Sequence, residues 1–330
     1  MSPYLAIAIR GTGRAVPERV LSNADLEKMI ETSNEWIITR TGIRERRIIA
    51  EDQSTLTLAV EASRKAMEAA SLTPADIDLI LVATITPEYP FPATACFLQQ
   101  ALGAGHVPAF DISGACSGFV YALNTAAHFV HRGTYRHVLI VGAESMSRFT
   151  DYQDRGTCIL FGDAAGAAVI GPAQRGDQGI YHQLMGADGN GAPMIICPAG
   201  GAREPASRRT VDERMHYLKM RGREVYKFAV TKMQEVIQDA LTARKLSPAD
   251  IAMIIPHQSN LRIIESATEK LGLSPEKVYV NIERYGNTSG ASVPVALDEV
   301  IRSGRVKPGD WVLLAAFGAG LTWATSLIRL

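Results

Sequence analysis

Cysteine is scarce in this chain: four occur in 330 residues, at positions 96, 116, 158 and 197, and no two form a C-x-x-C pair. That number and scatter exclude a disulfide scaffold, and the spacing of a zinc site is missing, so no metal is expected. An excess of either charge is also missing, because 34 Lys and Arg balance 34 Asp and Glu. The basic footprint of a nucleic-acid binder is therefore not there. The apolar start MSPYLAIAIRGTG has no basic residue ahead of it and reads as a first β-strand, so no signal peptide is expected. The one membrane suspect is Trp311 to Ile328, eighteen residues without a charge. Gly318, Gly320, Thr322, Thr325 and Ser326 interrupt it, and Lys307-Pro308-Gly309-Asp310 introduces it as a turn would. Two buried strands joined by a glycine turn fit it better than a membrane span. GTGRAVPER carries half a dinucleotide fingerprint, and no nicotinamide or flavin motif follows, so no cofactor is expected. These absences describe a soluble, cytoplasmic protein.

What is present is a repeat. VEASRKAMEAASLTPADIDLILVATI (60–85) reads as helix, turn and apolar strand, and MQEVIQDALTARKLSPADIAMIIP (233–256) repeats that order, with Pro74 and Pro248 174 apart. VPAFDISGACSGFVYALNTAAHFV (107–130) is answered by VYVNIERYGNTSGASVPVALDEVI (278–301). Cys116 and Asn287 stand 171 apart there, in comparable places, as do Gly133 and Gly304 further on. The strands are apolar throughout, as in sheets covered on both faces. The pattern predicts an α/β layered sandwich of two duplicated halves, 1–174 carrying the cysteine and 175–330 the histidine and asparagine. Gly171–Gly179 is the turn-rich seam, and 186–210 reads as loop.

Cys116 follows an apolar strand and opens a helix with an apolar stripe at Phe119, Val120, Leu123, Ala127 and Val130. A thiol at a helix N-terminus is pulled toward thiolate, and Gly114 and Gly118 allow a sharp turn and close approach of a substrate. His257 ends the strand MIIP, and Asn287 lies in the turn YGNTSG. If the halves meet about a pseudo-twofold, all three converge where open α/β sheets bind ligands.

With these residues in place, the chain resembles the β-ketoacyl-acyl-carrier-protein synthase III family of thiolase-like condensing enzymes. The motifs are TSNEWIITRTGIRER (32–46), DISGACSGF (111–119), DRGTCILFGDAAGAAV (154–169), PHQSNLRII (256–264), YGNTSGASVPVALDE (285–299) and AFGAGLTW (316–323). The resemblance implies an acyltransferase that loads an acyl-CoA starter, acetyl-CoA first, onto Cys116 and condenses it with malonyl-acyl-carrier protein in a ping-pong reaction. His257 and Asn287 would stabilise the enolate left by decarboxylation. The backbone N–H groups of Cys116 and Ala319 would hold the oxyanion, and Phe317 would keep the site dry. It assigns CoA contacts to Thr32, Trp36, Arg40 and Arg155, with the adenine between Trp36 and Arg155. It assigns carrier docking to Arg221, Arg223, Lys227 and Arg262, beside Lys219, and the acyl pocket to Ile85, Phe91, Met146 and Phe161. Phe91 would reach across a homodimer interface.

Departures from the family pattern are GAG in place of GGG, Leu321 in place of Phe, Arg223 near the pantetheine tunnel, and Glu269 where a base often sits. A secondary-metabolism ketosynthase with another acyl-CoA or acceptor would keep the same three residues. A cysteine hydrolase would match Gly114-Ala-Cys116-Ser-Gly118, but leaves the duplication and Asn287 without a purpose. A non-catalytic scaffold would have no need of all three.

Overall fold

The computed structural model describes residues 6–330, so the first five residues of the apolar start lie outside it. Two sheets form the frame. The first holds β1 (Ile7–Ala15), β2 (Leu79–Ala83), β3 (Ala109–Ile112), β4 (Val138–Ser145) and β5 (Asp163–Pro172) in the order β1-β5-β4-β2-β3. The second holds β6 (Gly179–Ala187), β7 (Ile251–Pro256), β8 (Trp311–Gly318) and β9 (Thr322–Arg329) in the order β6-β9-β8-β7. The charge-free run near the C-terminus is thus a hairpin, and no helix among the described residues is long and apolar enough to cross a membrane.

Both sheets share one pattern of directions. In the first, β1 and β4 run antiparallel to β5, and β2 lies parallel between β4 and β3. In the second, β6 and β8 run antiparallel to β9, β7 is parallel to β8, and a parallel bridge from Ile254 to Val278 occupies the place of β3. The matching turns Pro74–Asp76 and Pro248–Asp250 are each capped by a hydroxyl, Thr73 or Ser247, bonded to the aspartate three residues on.

Every strand residue of β2 is buried, and alternation sends its side chains to both faces. Leu79 and Leu81 join a central core with Phe119 and Leu123 of the helix Gly118–His131, Leu297 and Val300 of the helix Ser292–Arg302, and Val312 and Leu314 of β8. Ile80 and Val82 face the other way, onto Leu58, Ala62 and Ala66 of the helix Thr55–Ala69. The helices Gly222–Arg244 and Leu261–Lys270 cover the outer face of the second sheet. The result is five layers, helices and sheets alternating, with two helices enclosed between the sheets.

The repeat needs one correction. The turns Ala115–Ser117 and Ser289–Ala291 correspond, since each opens on a residue in the left-handed region, Ala115 at φ +47 and Ser289 at φ +48. Cys116 is therefore opposite Gly290, not Asn287. The helix after Cys116 has 14 residues and its counterpart 11, so the offset is 174 before the helices and 171 after them. The spacing that paired Cys116 with Asn287 applies only beyond that missing turn. Residues 186–210 are not all loop either: they contain the end of β6, a turn at Gly189–Met194 and a strand Ile195–Ile196 paired with Lys219–Met220.

Candidate active site

Strand β3 delivers the chain into the turn Ala115–Ser117, and the helix Gly118–His131 follows at once. Neither flanking glycine supplies left-handed geometry, since Gly114 has φ −117 and Gly118 φ −56. They serve packing instead: a Cβ on Gly118 would stand 3.1 Å from Ala83 Cβ, and one on Gly114 would stand 3.0 Å from Gly118 Cα. The unusual backbone belongs to Ala115, a conformation that costs a non-glycine residue roughly 1–3 kcal/mol and persists only when its surroundings impose it.

A cavity of about 620 Å³ opens above this turn, and Cys116, His257, Asn287, Phe317, Gly318 and Ala319 all line it. His257 and Asn287 are buried and Cys116 is half-buried, so these side chains form its floor. The 318–320 turn comes so close that a Cβ on Gly318 would lie 2.7 Å from the backbone nitrogen of Cys116. Ala319 does not take a positive φ, so alanine stands there without strain. Phe317 meets the His257 ring edge-on at 5.4 Å between centroids.

Burial pushes the Cys116 thiol up to about 12, with Glu144 adding to the rise and the hydrogen bond to Ser289 opposing it. The direction is opposite to the expected pull toward thiolate, because loss of water around the sulfur disfavours its charged form. Burial also brings His257 down to about 3, so its ring is neutral. Ser292 Oγ lies 2.6 Å from His257 Nδ1, and among the described residues His257 Nε2 has no hydrogen-bond partner. Asn287 is fixed at its backbone by Leu160 and Gly162, and its Oδ1 accepts the Ser289 N–H at 2.9 Å.

Sequence reasoning missed Ser289, Ser292 and Glu144. Glu144 is fully buried in β4, and burial raises it to about 7. A lone acidic residue inside the apolar run VLIVGAES was the signal available. The site thus has a buried carboxylate within reach of the cysteine through Ser289.

Ile85, Met146 and Phe161 line the cavity wall, whereas Phe91 does not line it and stands 84% exposed. Trp36, Arg40, Arg223, Lys227 and Arg262 also border the cavity, and the four basic residues among them are exposed, which places them at its rim. Arg155 lies directly on the Trp36 ring at 4.4 Å, leaving no room for an adenine between them unless the arginine lifts away. Thr32, just ahead of the helix Asn34–Thr41, and Arg221 do not line the cavity. Lys219 is tied to Asp151 at 3.0 Å, which removes it from the free basic cluster. Leu321 is buried against Gly191, and Glu269 is exposed on the helix Leu261–Lys270. Among the described residues no three His, Cys, Asp or Glu side chains gather as a metal would require.

Comparison with known proteins agrees across the whole chain. The family described as 3-oxoacyl-[acyl-carrier-protein] synthase III matches residues 110–189, and its C-terminal counterpart matches 241–330. A β-ketoacyl-[acyl-carrier-protein] synthase III of Caldanaerobacter subterraneus is 53% identical, over 100% of this chain and 99% of its own. The crystal structure of 3-oxoacyl-[acyl-carrier-protein] synthase III from Aquifex aeolicus superposes with a TM-score of 0.90 at 45% identity, covering 98% of this chain and 100% of that one. The priming β-ketosynthase of the R1128 polyketide pathway gives 0.91 at 38%, covering 100% and 98%.

Proposed function

Because the chain belongs to the β-ketoacyl-acyl-carrier-protein synthase III family, we propose that it transfers an acyl group from acyl-CoA to Cys116 and condenses it with malonyl-acyl-carrier protein, the step that starts fatty-acid synthesis. The observation that carries this reading is the meeting of Cys116, His257 and Asn287 on the floor of one cavity. A covalent acyl-cysteine splits one difficult exchange into two easier ones. The backbone N–H groups of Cys116 and Ala319 receive the oxyanion of each tetrahedral intermediate.

In the second half-reaction the malonyl group loses CO₂, and its thioester oxygen gathers the enolate charge. A neutral His257 donates to that oxygen from Nε2, and Asn287 donates from its amide. Phe317 excludes water beside them, which strengthens both hydrogen bonds. Trp36, Arg40, Arg155 and Thr32 serve the CoA end. Arg223, Lys227 and Arg262 at the rim, with Arg221 beside them in the chain, receive phosphates and the acidic carrier protein.

The apolar wall of Ile85, Met146 and Phe161 takes a short acyl chain. The protein works as a cytoplasmic homodimer, each chain divided into the halves 1–174 and 175–330, with Phe91 closing the partner's pocket. Likeness to a priming β-ketosynthase of a polyketide pathway supports a secondary-metabolism ketosynthase using another acyl-CoA or acceptor as the second reading.

Intact-protein mass after mixing with acetyl-CoA tests the proposal. The wild type gains one acetyl group, Cys116→Ala gains none, and malonyl-acyl-carrier protein discharges the adduct. An adduct confined to longer acyl-CoAs selects the second reading, and one that survives Cys116→Ala removes Cys116 as nucleophile.

A further inference from the structure

Glu144 is fully buried, and among the described residues no lysine, arginine or histidine pairs with it. An unpaired carboxylate inside a protein is costly, so its retention calls for a reason. Its Oε2 faces the Thr84 and Thr86 hydroxyls and the Ile85 N–H at 3.2, 2.7 and 3.1 Å. Its Oε1 faces the Gly290 N–H at 3.3 Å and the Ser289 hydroxyl at 3.0 Å. The Ser289 oxygen in turn accepts the Cys116 thiol at 3.6 Å. The three side chains are therefore polarised in one direction, thiol to hydroxyl to carboxylate.

We propose that Ser289 and Glu144 carry the proton of Cys116. The inference rests on the reading of Cys116 as the acyl carrier. As Cys116 Sγ bonds to the thioester carbonyl carbon, its proton moves to Ser289 Oγ while the Ser289 proton moves to Glu144. When the tetrahedral intermediate collapses, the bond from carbon to the CoA sulfur breaks and its electron pair stays on that sulfur. The proton returns through Ser289, and CoA leaves as the thiol. After condensation the carbon–sulfur bond to Cys116 breaks, Cys116 departs as thiolate, and one proton from water refills the same path. Ser289 touches the reacting sulfur, and Glu144 is a positioning residue that acts through it.

Two observations support this direction of transfer. A carboxyl raised to about 7 is matched to proton exchange near neutrality, whereas His257, on the cavity floor, is held at about 3 and turned onto Ser292. The titratable groups near Glu144 are Cys116 on the facing turn and Asp163 on β5, whose carboxylate is engaged by Ile49 and Ser147. Strand β2 and the loop after it bring only Thr84, Ile85 and Thr86 to the carboxylate.

The test is the rate of Cys116 alkylation by iodoacetamide in the full-length protein between pH 5.5 and 9, read at the Cys116 peptide, alongside rapid-quench acetylation by acetyl-CoA. The wild-type rate rises through an inflection near neutrality. Ser289→Ala slows both reactions at pH 7 by roughly a hundredfold, the scale of general-base catalysis, and loses the inflection. Glu144→Gln behaves as Ser289→Ala, with an unchanged circular dichroism spectrum. Alkylation of Ser289→Ala at the wild-type rate overturns the relay, as does faster alkylation of Glu144→Gln with an onset at lower pH, the mark of a carboxylate that only repels thiolate. Should Glu144→Gln fail to fold, Ser289→Ala decides alone. A wild type that shows the expected alkylation profile but takes no acetyl group leaves the relay standing and removes the acyl-transfer reading.

Discussion

Ser292 Oγ sits 2.6 Å from His257 Nδ1 and accepts the backbone N–H of Gln258 at 3.3 Å. A neutral ring that accepts the serine proton at Nδ1 carries its own proton on Nε2, the tautomer that donates to an enolate. Ser292→Ala frees the ring to take the other tautomer. The expected outcome is a fall of roughly tenfold or more in decarboxylation, measured as CO₂ release from malonyl-acyl-carrier protein, with acetylation of Cys116 unchanged. At this scale the sequence was readable where a residue type is chemically rare: Cys116, His257 and Asn287 stood out against their flanks, and all three line one cavity. Ser289 and Ser292 did not, because serines in a glycine-rich turn carry no periodicity, and only the folded chain brings Ser289 to Glu144. The thiol was misjudged because burial depends on neighbours that a local pattern does not contain.

Between elements, backbone meets backbone where β1 crosses the helix Thr55–Ala69. A Cβ on Gly13 would lie 2.4 Å from Ala62 O and 2.5 Å from Ala66 N, neither of which can swing aside. Gly13→Ala must push the helix off the sheet, an overpacking cost of roughly 1–3 kcal/mol. A lower Tm with Cys116 acetylation retained is the expected result, and an unchanged Tm would show that the helix shifts freely. The duplication was legible because Thr73-Pro-Ala-Asp and Ser247-Pro-Ala-Asp form the same capped turn. Its register went wrong at Asn287 because equal spacing was carried across two helices of unequal length, and a helix shortened by three residues keeps its apolar face almost unchanged.

For the molecule as a whole, two buried groups pull stability in opposite directions with pH. His257 is ordinarily near 6.5 and lies at about 3 when folded, so between those values the unfolded chain binds the extra proton and stability is lost as pH falls. Glu144 moves from 4.5 to about 7, so between those values the folded protein holds the extra proton and stability is lost as pH rises. Glu144→Gln removes the second effect alone. From pH 4.5 to 7.5 the wild type should lose on the order of 3 kcal/mol relative to this variant, seen as a changing difference in Tm. The apolar strands announced sheets covered on both faces, and the layered sandwich follows from that. The sequence alone did not show how the two turns press together at its centre.

That contact has a consequence for stoichiometry. Gly290 is the counterpart of Cys116 in the second half, and a Cβ there would sit 3.2 Å from both Ala115 O and Glu144 Oε1. A twofold copied chain has two places for a sulfur at its centre and space for one. With Cys116 as the proposed acyl carrier, the cavity floor takes a single acyl group, whatever the concentration of donor.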